Sequence, residues 1–154
     1  MPSLLANEVS GVSGNLVQTM PPAYFYSLWL KHLVFRNVAA YDKQPYVPRT
    51  VAEIGPGSSI GLGLSAILSG AQRYYGFDLV SHIDPTAHLA LLDALVPMFE
   101  KQHKSTNSGG FPNYAAYLDR NKFPSAILTE ERLEASLAPR RIDAIRAALV
   151  GEKG

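Results

Sequence analysis

The sequence contains no cysteine and no run of eighteen apolar residues. Without cysteine the chain can form neither a disulfide framework nor a thiolate metal site, and such a composition fits a reducing, cytoplasmic environment. Because no long apolar run occurs, no membrane span is predicted. The N-terminus also lacks the basic start and apolar core of a secretory signal, so no signal peptide is expected.

The chain also lacks a charge imbalance, since 14 lysines and arginines stand against 13 aspartates and glutamates. A formal net charge of +1 gives no electrostatic reason to expect binding to nucleic acid or to an anionic membrane. Neither a P-loop motif, an internal repeat nor a serine–histidine–aspartate arrangement is recognisable. With 154 residues, 47% of them hydrophobic, the chain can bury one core.

A glycine-rich segment is the most informative part of the sequence. The apolar run 50–54 is too short for a helix and ends in a Gly-Pro-Gly turn, which predicts a buried parallel strand. Apolar residues at helical spacing follow over 60–69, and a second short strand, 73–79, carries Asp78 near its carboxyl end. Parallel strands joined by a helix bind ligands at that end of the sheet, so residues 49–80 predict a βαβ unit with a cofactor site.

The spacing of the glycines indicates the kind of ligand. A dinucleotide loop has the pattern G-x-G-x-x-G, whereas here Gly55 and Gly57 are followed by Gly61, one residue late. Glu53 stands where dinucleotide loops carry an apolar residue, and Pro56 removes an N–H that a phosphate cradle would use. An NAD(P)-dependent oxidoreductase fragment is therefore the alternative interpretation and not the leading one.

The string EIGPGSSIGLGLSAILSGAQRYYGFDLV, with its E-x-G-x-G loop and later acid, resembles motif I of the class I S-adenosylmethionine-dependent methyltransferases. The resemblance covers residues 47–82. It implies an α/β fold with a Rossmann-like parallel sheet, S-adenosylmethionine as cofactor, and methyl transfer to an acceptor that we expect to be a small molecule. The residues that it assigns to the cofactor site are Glu53, Gly55, Pro56, Gly57, Ser58, Asp78 and Leu79.

The same resemblance implies a role for each part of this site. Gly55 and Gly57 would form the floor under the amino-acid portion and the ribose of the cofactor. Glu53 would position the loop or meet the methionyl amino group, directly or through water. Asp78 would accept hydrogen bonds from both ribose hydroxyls, because a carboxylate is a bidentate acceptor, and Leu79 would flank the adenine. No catalytic residue is identified.

The rest of the chain is predicted to be rich in helices. We expect a flexible arm over 1–20 and then one α/β domain over 21–154. The domain begins with an aromatic, strongly apolar helix at 23–38, interpreted as a packed helix or as a lid over a substrate. A helical region covers 84–150, in which residues 125–128 are the one weak candidate for a third strand.

Local signals divide this helical region. Asp84 followed by Pro85 predicts a helix start, and the polar, glycine-rich segment 104–112 predicts a mobile loop. Thr129 precedes acids that favour a further helix, and Pro139 interrupts or restarts that helix.

The predicted sheet is incomplete. The family that the sequence resembles has a seven-stranded sheet in well over ~200 residues, whereas only two convincing strands occur here, both before residue 80. A two-stranded parallel sheet has exposed edges and buries little surface. We therefore expect the truncated, inactive part of a methyltransferase, or a homo-oligomer formed through the sheet edge or the helix 23–38. A non-catalytic interaction module is the alternative from another functional class.

Two polar clusters lie outside the glycine-rich segment. His82, Asp84 and His88 could lie close together, but Asp84 is already explained as a helix cap, so no metal site is expected. The arginines of the last helix are predicted to form a solvated face and not to grip an acidic ligand. These arginines are Arg140, Arg141 and Arg146.

Overall fold

The computed structural model describes residues 20–39, 45–80, 84–103 and 123–151. In chain order the elements are α1 (Pro22–Ala39), β1 (Thr50–Ile54), α2 (Gly61–Leu68), β2 (Arg73–Phe77), α3 (Pro85–Glu100), α4 (Glu130–Ser136) and α5 (Pro139–Leu149). The described part of the chain is thus a mixed α/β structure with five helices. The predicted arm, except residue 20, and the predicted loop at 104–112 lie outside the described residues.

The two strands form a parallel sheet, as the glycine-rich segment predicts. Glu53 lies opposite Gly76, and Ile54 lies opposite Phe77. Alternate side chains of β1 are half-buried and exposed, so the predicted parallel strand forms but is covered on one face and not buried as a whole. The reason is that helix α2 packs on one face of the sheet, while large apolar side chains stay exposed on the other.

Helix α2 packs closely on the sheet because one of its glycines leaves room for a ring. A Cβ atom added at Gly63 would lie 2.5 Å from the ring of Tyr74 in β2. On the same helix, a Cβ at Gly61 would lie 2.3 Å from the ring of Phe25 in α1. The two glycines therefore let aromatic side chains of a strand and of a helix lie against the α2 backbone.

The aromatic helix α1 lies in the core, which confirms the prediction of a packed helix at 23–38. Tyr26 and Trp29 are buried, so a lid formed by these two rings is ruled out. The Trp29 indole N–H donates to Ser69 Oγ at 2.7 Å, and the Tyr26 hydroxyl donates to the carbonyl of His103 at 2.7 Å. These bonds tie α1 to the ends of α2 and α3.

The later helices begin where local signals predict. Asp84 accepts hydrogen bonds from the N–H groups of Thr86 and Ala87, so it caps α3. Thr129 accepts from the N–H of Arg132 at the start of α4, and a new helix, α5, begins at Pro139.

Residues 125–128 do not form the weakly predicted third strand. They form a turn in which the carbonyl of Pro124 accepts from the N–H groups of Ile127 and Leu128. The apolar character of this segment has another cause, because Leu128 is fully buried in the core. Among the described helices, none is long and apolar enough to cross a membrane.

Candidate functional site

The glycine loop leaves the carboxyl end of β1 in a conformation that glycine favours. Gly55 has φ +70° and Gly57 has φ +63°, both in the left-handed region. The N–H of Gly55 donates to the carbonyl of Phe77 at 2.8 Å, which extends the sheet ladder by one bond beyond Ile54. The chain therefore turns sharply at the end of the sheet, beside the end of β2.

Asp78 lies at this same end of the sheet and contacts the loop. One of its carboxylate oxygens, Oδ2, accepts from the N–H of Gly57 at 2.8 Å. The other, Oδ1, accepts from the N–H of Leu79 at 2.7 Å. The acid after the second strand and the glycine loop after the first are thus brought together, although Gly57 and Asp78 are 21 positions apart in the chain.

The middle of the loop faces inward. Pro56 is buried, and its ring lies beside Gly76, where an added Cβ would be 3.2 Å from Pro56 Cγ. The hydroxyl oxygen of Ser58 is buried and has no hydrogen-bond partner among the described residues. Buried hydroxyls are normally hydrogen-bonded, so this oxygen is one of the few buried side-chain polar atoms of the described residues that lack a protein partner.

Glu53 is half-buried on the face of the sheet that α2 covers. Its Oε2 accepts from the hydroxyl of Tyr74 at 2.7 Å. Burial raises the pKa of the Glu53 carboxyl above its ordinary value, and the bond from Tyr74 opposes part of that rise. Burial and the neighbouring Glu53 also raise the pKa of the Tyr74 hydroxyl, so that hydroxyl remains a donor.

The sequence analysis missed Tyr74 and Gly76 as parts of this site. Gly76 lies opposite Glu53, and a Cβ at position 76 would lie 3.2 Å from the Tyr74 hydroxyl. The absence of a side chain therefore leaves room for the tyrosine to reach the carboxylate. An alignment of the two strands in parallel register would have revealed this pairing, because it places glycine directly beside the acid.

Leu79 and its surroundings are apolar and exposed. Leu79 is fully solvent-exposed, and Val80 and Ile54 are exposed as well. Leu79 and Val80 follow Asp78 in the chain, and Ile54 lies opposite Phe77 at the same end of the sheet. The site thus combines two carboxylates, a loop with an orphan hydroxyl, and an apolar margin.

A concave region lies at the other end of the sheet from the glycine loop. This groove of about 390 Å³ is lined by residues that include Gln72, Arg132 and Arg141, and by none of the seven predicted cofactor residues. Arg141 donates from Nη2 to the carbonyls of Ile67 and Ala71, at 2.9 and 2.7 Å. The prediction that Arg141 belongs to a solvated face is therefore wrong, since this arginine caps the end of α2.

The other two arginines of α5 lie at the surface, as predicted. Arg140 is exposed, and Arg146 pairs with the exposed Asp93 of α3 through a side chain that is itself 41% exposed. His88 is buried within the helical layer, and His82 lies outside the described residues. Within the described ranges no group of three histidines and acids could hold a metal ion.

No protein-family model, curated protein or solved structure matches this chain.

Proposed function

We propose that this chain is the S-adenosylmethionine-binding part of a cytoplasmic class I methyltransferase that acts on a small-molecule acceptor, with its two strands belonging to a Rossmann-like sheet. The observation that carries the proposal is the 2.8 Å hydrogen bond between the Gly57 N–H and the Asp78 carboxylate. It supports a binding crevice at the carboxyl ends of two parallel strands, where open α/β sheets hold their ligands.

The residues at this end of the sheet fit the adenosyl portion of the cofactor. Asp78 presents a carboxylate at the strand end, and a ribose diol would bind to it beside the main-chain donors that it already accepts from, because each carboxylate oxygen can accept more than one hydrogen bond. The buried, unpartnered Ser58 hydroxyl lies in the same loop and would gain a partner. The exposed Leu79 side chain would give the adenine an apolar surface on which to rest.

Charge favours a cationic cofactor over a dinucleotide. Glu53 and Asp78 place two carboxyl groups at one end of the sheet. A sulfonium and an ammonium group would be attracted by ionised carboxylates, whereas a pyrophosphate would be repelled. Pro56 also lacks the N–H that a phosphate would use.

When bound, S-adenosylmethionine supplies a methyl group already activated by its sulfonium. The chain's own residues would then hold and orient the cofactor. Asp78 would bind the ribose, and the loop backbone at Gly55 and Gly57 would allow the cofactor to lie close to the main chain. Glu53, held by Tyr74, would keep the loop in position and face the methionyl ammonium. No residue in the described ranges is assigned as a catalytic base.

Calorimetric titration with S-adenosylhomocysteine tests the proposal. We expect affinity of about micromolar order in the unchanged chain and a loss of about ten- to a hundredfold in Asp78→Asn, since a charge-assisted bidentate contact is removed. Glu134→Gln, which removes one exposed acid in α4, is the matched control and should bind normally. Absence of heat, or equal loss in both variants, contradicts the proposal.

A competition experiment with NAD(P) distinguishes the methyltransferase from the oxidoreductase interpretation. If NAD(P) displaces S-adenosylhomocysteine or binds more tightly, the oxidoreductase interpretation replaces the methyltransferase. The interaction module is favoured by a different observation, the exposed apolar face of the sheet. Stable self-association without any binding of S-adenosylhomocysteine supports that second candidate.

A further inference from the structure

The face of the sheet that α2 does not cover is apolar and exposed. Strand alternation places Ala52 and Ile54 of β1 beside Tyr75 and Phe77 of β2, and we call these four residues the open sheet face. Ile54 is 90% exposed, Phe77 59% and Tyr75 47%. The rings of Tyr75 and Phe77 stack, with centroids 6.4 Å apart and an angle of 19° between their planes.

The extent of this surface is at the upper end of what a monomeric protein exposes. Together with the exposed Val80, the open sheet face presents on the order of 600 Å² of largely apolar surface. The largest apolar patch on a typical monomer is about 300–600 Å², and such a patch is often functional. Two such faces brought together would bury about 1,200 Å², the lower end of the range for specific protein interfaces.

The apolar open sheet face is suited to packing against the same face of a second copy of the chain. Sheets pack face to face about 10 Å apart with their side chains interdigitated, and a two-fold axis brings the same patch of both chains together. None of the four residues carries a charge, and the chain's net charge is only +1. Arg73 lies on the same side of the sheet, but at the opposite end of β2 from Phe77, so charge repulsion is confined to one end of the face. Three large rings of α1, those of Phe25, Tyr26 and Trp29, are buried within the chain, and Phe35 is the exposed large apolar side chain of that helix, so the sheet presents the larger apolar surface.

We propose that two copies of this chain pair through their open sheet faces to form a symmetric dimer. The face lies on the side of the sheet opposite α2, so pairing there does not depend on the proposed cofactor. Failure of one proposal therefore leaves the other standing, because self-association and binding of S-adenosylhomocysteine are measured separately.

Sedimentation of the full chain over a range of concentrations is the first test. We expect a mass of twice 16.7 kDa at high concentration, with dissociation on dilution. Phe77→Glu places a charge in the centre of the interface and should weaken association by about 30-fold or more. Val150→Glu is the control, because Val150 is 44% exposed, lies beyond α5, and is not part of the face. A monomer at every concentration overturns the proposal, as does equal weakening by both substitutions.

Because the chain is free of cysteine, a single introduced thiol can report which surface is covered. In Ile54→Cys, alkylation of the thiol should become slower as the protein concentration rises, whereas in Val150→Cys the rate should stay constant. Protection at position 54 that is independent of concentration means that a segment of the same chain covers the face. A dimer without protection means pairing through a sheet edge. Either result rejects the proposed interface, and neither depends on how well Phe77→Glu folds.

Discussion

Gly57 and Asp78 hold the glycine loop against the end of the second strand through a main-chain N–H to carboxylate bond of 2.8 Å. The bond joins two strand ends that are adjacent in the sheet and distant in the chain. It fixes the loop without a ligand, so a ribose bound at Asp78 would meet a loop that is already formed. Such preorganisation lowers the ordering cost of binding.

The first prediction concerns backbone strain at the start of this loop. Gly55 has φ +70°, and an added Cβ would meet nothing within 4 Å. Gly55→Ala should therefore destabilise the fold by about 1 kcal/mol through backbone strain alone. Gly55→Asn should cost less, because asparagine tolerates the left-handed region better than alanine. Denaturant unfolding of the three proteins measures both effects. Equal costs for the two substitutions would argue against strain as the cause.

The second prediction concerns the contact between α2 and the sheet. Gly63→Ala would place a methyl group 2.5 Å from the ring of Tyr74, whose hydroxyl is held by Glu53. Overpacking costs about 1–3 kcal/mol, while alanine gains about 1 kcal/mol in helix propensity. The net change expected is therefore a destabilisation of about 0–2 kcal/mol.

A double-mutant cycle distinguishes the clash from a general effect of alanine. In a Tyr74→Leu background the smaller side chain relieves the contact, so Gly63→Ala should cost less there than in the unchanged chain. If its cost is the same in both backgrounds, the tyrosine ring is not the obstacle.

Features that depend on neighbouring residues were predictable from the sequence. The helix predicted at 23–38 spans Pro22–Ala39, because a double proline and a long apolar run mark its start and body. Asp84 caps α3 as its position before Pro85 indicates. The βαβ order likewise follows from two short apolar runs with a glycine turn between them.

Features that depend on distant partners were not predictable. The turn at 125–128 was assigned as a possible strand because a short apolar run carries no reliable period, and its burial comes from core contacts. The bonds of Arg141 cross 70 and 74 positions of the chain. The exposed face at Ile54 depends on which elements cover the sheet, and the pattern within one strand does not determine that.

The third prediction concerns the pH dependence of stability at Glu53. Its pKa is raised in the folded protein by burial, so the folded chain binds more protons than the unfolded chain just above the ordinary glutamate pKa. Stability contributed by this group is therefore present at low pH and is lost as the pH rises through the raised pKa. Glu53→Gln removes the titration but keeps an oxygen that accepts from Tyr74.

The variant Glu53→Gln should thus gain stability relative to the unchanged chain as the pH rises from acid to neutral, and the gain should then level off. Unfolding free energies measured across that range test this expectation. Glu134→Gln, at an exposed site in α4, should show no comparable trend. Parallel curves for Glu53→Gln and the unchanged chain would show that burial does not control this carboxyl.

The last prediction concerns Arg141 of α5, whose side chain bonds to main-chain carbonyls at the C-terminal end of α2. Arg141 donates to the carbonyl of Ile67 in the last turn of α2, which also accepts from the N–H of Gly70, and to the carbonyl of Ala71 just beyond the helix. The end of a helix carries partial negative charge, which favours a cation there. Arg141→Gln shortens the side chain and removes both charged bonds, so we expect a loss of about 1.5–3 kcal/mol in the free energy of unfolding.

Arg140→Gln removes the same charge from the adjacent, exposed position and should change stability by less than about 0.5 kcal/mol. Since both variants have equal net charge, equal destabilisation would mean that overall charge and not the two carbonyl contacts sets the effect. If only Arg141→Gln lowers the free energy of unfolding, then α5 stabilises the end of α2, the helix that covers one face of the sheet.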